Sequence, residues 1–143
     1  MPMTSAATLT QPSLGAPLRI GLWVAQVVIA ALFCFAGFTK LTTPIPDLSA
    51  MMPWTGDVPV WFVRAIALVD LAGGIGVLLP ALTGIQPRLT TLAALGCIVL
   101  QALAVAFHVS RGEFPVLPLN ALLLACAAFV FWGRSRDSRF KLF

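Results

Sequence analysis

Four apolar runs divide this chain, each about as long as the hydrocarbon core of a bilayer is thick. Between Arg19 and Lys40 lie twenty residues without a charge, between Arg88 and Arg111 twenty-two, and between Glu113 and Arg134 another twenty. A further run, about residues 60–79, carries only Arg64 near its start and Asp70 in its interior. As helices rising 1.5 Å per residue, each crosses roughly 30 Å. A backbone in lipid must satisfy its own hydrogen bonds, and a helix does so within one segment. The pattern predicts an all-α fold, a bundle of four transmembrane helices at about 20–39, 60–79, 89–109 and 115–133. The short connections "ALTGIQPR" and "RGEFPVLP" make consecutive spans antiparallel neighbours.

Composition agrees with lipid as the solvent. Of the 143 residues, 59% are hydrophobic and 10% charged, against about a quarter charged in soluble domains. The net charge of +4 does not point to nucleic acid, because four of the nine basic residues fall in the last ten positions and no basic face recurs elsewhere. Membrane topology explains that clustering. With the N-terminus inside, the inner ends carry Arg19, Arg88, Arg134, Arg136, Arg139 and Lys141, and the outer ends carry Lys40, Arg64 and Arg111. This excess places both termini in the cytoplasm. Trp23 and Trp132 then mark the inner interface, Trp54 and Trp61 the outer one.

Three regions follow: a disordered cytoplasmic tail at 1–18, a membrane domain at 19–136, and a basic cytoplasmic tail at 137–143. The run after Arg19 ends in "AGFTKL" without a small-x-small cleavage site, so it reads as a retained span. The longest connection, 41–59, contains "PDLSAMMPWTGDVP" and predicts a segment that lies on the outer surface or caps the bundle.

The polar residues inside the spans are the candidates for a site. Counted from Trp61, Asp70 lies roughly 13 Å deep; counted from Arg111, Gln101 lies roughly 15 Å and His108 roughly 4–5 Å deep. Gln101 and His108, seven apart, share one helical face. Asn120 enters about 7 Å from the outer end of the fourth span, and Lys40 closes the first span on the same side. A carboxylate within the hydrocarbon costs about 2.5–3.5 kcal/mol on insertion scales and needs a partner or an aqueous cavity. Lys40 and His108 are the candidate partners. Arg64 sits about 120° round the helix from Asp70 and is not one. The expected ligand-binding set is Lys40, Asp70, Gln101, His108 and Asn120.

Other residues take structural readings. Ala72, Gly73, Gly74 and Gly76 permit close helix packing, Ala72 with Gly76 as a small-xxx-small pair. Gln26, near the inner side, reads as bonding another helix, and Arg111 and Glu113 as water-interface residues. Cys34, Cys97 and Cys126 stand singly in apolar runs, with no metal-ligand spacing, and a single histidine cannot supply a bis-histidine haem. No metal site and no intrinsic cofactor is expected.

"FAGFTKL" (35–41), "DLAGGIGVLLP" (70–80), "ALAVAFHVSRGE" (102–113), Asn120 and "WGRSR" (132–136) together resemble the DoxX-like family of small four-helix membrane proteins, over about residues 20–136. One departure is Asp70, where the family usually has glutamate, one methylene longer. The resemblance implies the four-helix fold, a bacterial cytoplasmic membrane and a link to redox or sulfur metabolism or membrane stress. The family is named for the membrane subunit of a thiosulfate:quinone oxidoreductase. The expectation is a membrane subunit, or a binding module for a small quinone-like amphiphile, in a redox or respiratory assembly. Its partners would be the lipid bilayer and other membrane subunits or a second copy, and a redox partner would supply the electron carrier. A purely structural accessory subunit is the alternative, and a small proton-coupled transporter the third reading.

Overall fold

The computed structural model describes residues 13–143. Four long helices, α1 (Ala16–Thr42), α3 (Val60–Thr83), α4 (Arg88–Ser110) and α5 (Leu117–Ser135), are joined by one long and two short connections. The long connection folds into a short helix, α2 (Ile45–Met51), and a 3₁₀ turn (Pro53–Gly56); a second 3₁₀ turn, Phe114–Val116, leads into α5. All four long helices are long and apolar enough to cross a membrane, the last counted from Phe114. Each span packs on two others: α1 on α3 and α5, and α4 on α3 and α5. Consecutive spans run antiparallel, so both described ends of the chain lie at one end of the bundle. We call that the terminal end and the opposite one the loop end.

The expected spans are present with longer ends. The helix through 60–79 continues past Pro80 to Thr83, because Pro80 forfeits only its own N–H bond while the following turn closes on it, Gly84 N–H donating to the Pro80 carbonyl. Of the tail expected at 1–18, residues 1–12 lie outside the described residues and 16–18 form the first turn of α1. Pro17 suits that first turn, where its missing N–H is not needed.

Each helix buries a single stripe. On α3 it is Val63, Ala67, Asp70, Gly74, Val77 and Pro80; on α4 it is Thr90, Thr91, Ala94, Cys97 and Gln101. Steps of three and four put these on one face. The outward faces are as apolar as the stripe: Val24, Phe35, Phe38, Leu68, Leu82, Leu103 and Leu122 are all exposed. A chain with large apolar side chains on both faces of its helices has hydrocarbon as its solvent.

Close approaches of backbone fix the register. A Cβ on Gly37 would lie 2.7 Å from the Ala67 carbonyl oxygen, and one on Gly74 would lie 2.7 Å from Cys34 Sγ and 3.1 Å from the Ala30 carbonyl. Only glycine fits at these two crossings of α1 and α3. Gly73 faces Cys97 on α4, Gly76 faces Ala93, and Gly133 on α5 lies against Leu22. Gly73, Gly74 and Gly76 therefore stand where helices meet, whereas Ala72 is exposed beside them. The central core is apolar: Ala25, Ile29 and Phe33 from α1, Val77 from α3, Ala94 and Cys97 from α4, and Leu123, Ala127 and Val130 from α5.

Candidate functional site

Polar side chains enter this core from both ends, and one set lies toward the loop end. Lys40 and Asp70 form a buried ion pair, Nζ to Oδ2 2.5 Å, with each residue under a tenth exposed. Helix direction explains how they meet. Cα–Cβ bonds tilt toward a helix's N-terminus. On α1, which runs toward the loop end, Lys40 therefore leans into the bundle; on the oppositely running α3, Asp70 leans back toward it. The aspartate is long enough, despite lacking glutamate's extra methylene.

Arg64 completes this corner in another way. Its guanidinium donates to the Lys40 carbonyl and, at 3.1 Å, to the Thr43 carbonyl. These are among the carbonyls that the end of α1 leaves without partners, and a cation there also opposes the helix dipole. Asp70 thus takes the side chain of Lys40, and Arg64 takes its backbone.

Gln101 and Asn120 extend the polar layer onto the other two helices. By the Gly73–Cys97 and Gly76–Ala93 approaches, Gln101 stands level with Val69–Asp70 on α3; by the Gly133–Leu22 and Gly21–Phe129 approaches, Asn120 stands level with α1 around Phe33. Gln101 is 7% exposed. Its Oε1, a buried acceptor, and Asn120 Nδ2, a buried donor, have no hydrogen-bond partner among the described residues. A buried polar atom left unpaired costs about 1–3 kcal/mol.

His108 does not join this layer. It lies seven residues beyond Gln101, near the end of α4, and there His108 Nδ1 pairs with Glu113 Oε2 at 2.6 Å. Gly112, at φ 70°, turns the chain so that Glu113 N–H bonds the His108 carbonyl, which delivers the carboxylate to the ring. Of the two candidate partners for Asp70, the structure selects Lys40. Arg111 bonds Glu113 Oε1 at 2.9 Å and Asp57 Oδ2 at 2.6 Å, linking the 41–59 connection to the end of α4. Trp54 packs edge-on against Phe107, ring centroids 6.0 Å apart, and Leu48 and Thr55 are fully buried. Of the two readings of this connection, capping is the one observed. Burial pushes the Glu113 carboxyl up, but the hydrogen bonds from His108 and Arg111 outweigh it and hold the group below its ordinary value.

The terminal end holds a second polar cluster that sequence reasoning only half located. Gln26 bonds another helix as expected, its Nε2 donating to the Val77 carbonyl at 2.7 Å. The other side of its amide accepts from Arg134, Nε at 2.8 Å and Nη2 at 2.5 Å. Arg134, expected at the membrane interface, is only 2% exposed. Its guanidinium lies between the rings of Trp23, 4.9 Å away, and Phe140, 4.7 Å away. On α5, which runs toward the terminal end, the N-terminal tilt of the side chain sends it into the bundle instead of out to water. Phe140 is buried there, and its carbonyl accepts from Thr91 Oγ1 at 2.7 Å.

A family model described as the DoxX-like family matches residues 24–130. No curated protein and no solved structure matches the chain.

Proposed function

The chain belongs to the DoxX-like family, and on that premise we propose that it is an integral membrane subunit or binding module whose buried polar layer receives the head of a quinone-like amphiphile, within a redox or respiratory assembly. One observation carries this reading: an enclosed acceptor, Gln101 Oε1, and an enclosed donor, Asn120 Nδ2, neither with a partner among the described residues, in the same half of the bundle as the buried Lys40–Asp70 pair. A quinone carbonyl accepts from an amide N–H, and a quinol hydroxyl donates to an amide oxygen. The same pair of amides therefore serves both oxidation states. Protons taken up on reduction would come from the loop end, where His108 and Glu113 stand closer to water. Electrons would come from a partner subunit carrying flavin, haem or metal.

The transporter reading has less support. The Lys40–Asp70 layer and the Gln26–Arg134 cluster are separated by the apolar side chains of Ile29, Phe33, Val77, Leu123 and Ala127. The structural-subunit reading makes a different prediction about what copurifies. Gentle solubilisation followed by mass spectrometry of the organic extract and of accompanying chains tests both. Enrichment of one quinone or one defined amphiphile, lost in Asp70→Asn, supports a binding layer. Bulk lipid alone, with a stoichiometric larger complex, would replace it with an accessory role.

A further inference from the structure

The seam between α3 and α4 is open to the surrounding hydrocarbon along much of its length. Two cavities follow it and share Ala72 and Ala93. The larger, of 440 Å³, lies between Ile75, Leu79, Leu89 and Leu92. The smaller, of 220 Å³, reaches inward to Phe33 and Cys97, which are 2% and 1% exposed. The larger lies in the lower part of the range of small-molecule sites, about 300–1,000 Å³, and the smaller falls below it. The groove exists because Ala72 and Gly96 leave its walls almost bare above a floor where Gly76 meets Ala93. A Cβ placed on Gly96 would meet nothing within 4 Å.

We infer that this groove holds the apolar tail of the amphiphile whose head meets the buried polar layer, a single prenyl or alkyl chain. The inference rests on the reading proposed above. Three observations converge on it. The lining is almost wholly apolar, so a polar chain gains nothing there. The groove runs from Val69 to Pro80, roughly 16 Å along α3, which is the dimension of an extended hydrocarbon chain. A packed helix, about 10–12 Å across with its side chains, would instead need a broad face. At the loop end the smaller cavity is bounded by Val69 and Leu100, the chain neighbours of Asp70 and Gln101. It deepens into the core one turn further along, where Gly73 faces Cys97 and Phe33. A chain lying in the groove therefore starts at the residues that flank Asp70 and Gln101, and its head group would reach the layer without crossing the bundle.

The test compares two probes on the full chain in detergent: a dimethoxy-methyl benzoquinone without a tail, and the same ring with a decyl tail. Gly96→Leu fills the groove from its open side, and Leu92→Trp, at a position 51% exposed, fills the larger cavity independently. Comparing each variant with the parent protein cancels the tail's own partition into the micelle. Each variant is expected to weaken the decyl probe about tenfold and the tailless probe by less than about twofold. Unchanged affinity for the decyl probe in both variants would overturn the groove as its berth. Equal weakening of both probes would also overturn it, by making the groove part of the head site. Failure of the parent protein to bind either ring has a different signature; it removes the head site itself and the inference with it.

Discussion

Replacing Gln101 by leucine separates a binding layer from a merely structural one. A side chain that only holds helices together loses a contact when it is truncated to an apolar isostere, and the bundle weakens. The Gln101 Oε1 makes no such contact among the described residues: it is enclosed, and the residue is 7% exposed. Burying that oxygen unpaired costs about 1–3 kcal/mol, while leucine fills a similar volume with no polar atom. In ligand-free protein Gln101→Leu is thus expected to stabilise the bundle by about 1 kcal/mol or more. In protein that retains an amphiphile, the same substitution removes an acceptor for its head, and the molecule is lost. The assay is unfolding by a denaturing detergent, followed by tryptophan fluorescence, on delipidated and on gently purified samples, with extract analysis of the latter. A variant less stable than the parent by about 1 kcal/mol in both samples, with ligand content unchanged, would refute the reasoning. It would mean that the amide is a helix-to-helix bond after all.

Breaking the Lys40–Asp70 pair by Asp70→Ala or by Lys40→Met is expected to cost about 3–5 kcal/mol, because each leaves a charge buried alone. The double variant Lys40→Met with Asp70→Leu should recover most of that loss in a double-mutant cycle, and Asp47→Ala, at an exposed position of α2, should cost little. Gly74→Ala is expected to destabilise by about 1–3 kcal/mol through overpacking against Cys34 and the Ala30 carbonyl; Gly96→Ala, measured the same way, should leave stability unchanged or slightly raised. The Glu113 carboxyl has a lowered pKa in the fold, so its contribution is complete above the ordinary glutamate value of 4.5 and is lost as pH falls below it. Hydrogen exchange in residues 41–59 should rise over that acid range, and Glu113→Gln should abolish the pH dependence.

Much of the bundle was legible because its signals are local. Twenty-residue apolar runs locate the spans, and the loop lengths make neighbours antiparallel. A carboxylate in such a run demands a cation, and Lys40 was one of two within reach. The choice between Lys40 and His108 was not legible, because it depends on the turn at Gly112 that carries Glu113 to the histidine ring. Arg134 was misplaced for a related reason. Charge counting treats a basic residue at a helix end as interfacial, but the tilt of side chains on α5 points this one inward, onto Gln26. Small residues were ambiguous in a different sense. Gly37, Gly74 and Gly133 are small because backbones or side chains approach them, whereas Ala72 and Gly96 border open space. A sequence lists small residues without saying what stands opposite.

The corner formed by Arg64, Asp70 and the end of α1 bears on how the chain enters a membrane. Alone, the third helix would carry a guanidinium and a carboxylate into hydrocarbon, each disfavoured by about 2.5–3.5 kcal/mol near the centre of a span. The first helix has no charge between Arg19 and Lys40 and can insert unaided. Once there, its final carbonyls and its lysine are the receptors for both groups on the helix that follows. Inserted together as a hairpin, the two spans would carry both groups already paired. Exchanging Lys40 or Asp70 would then disturb the insertion of the chain as well as the packing of the finished bundle.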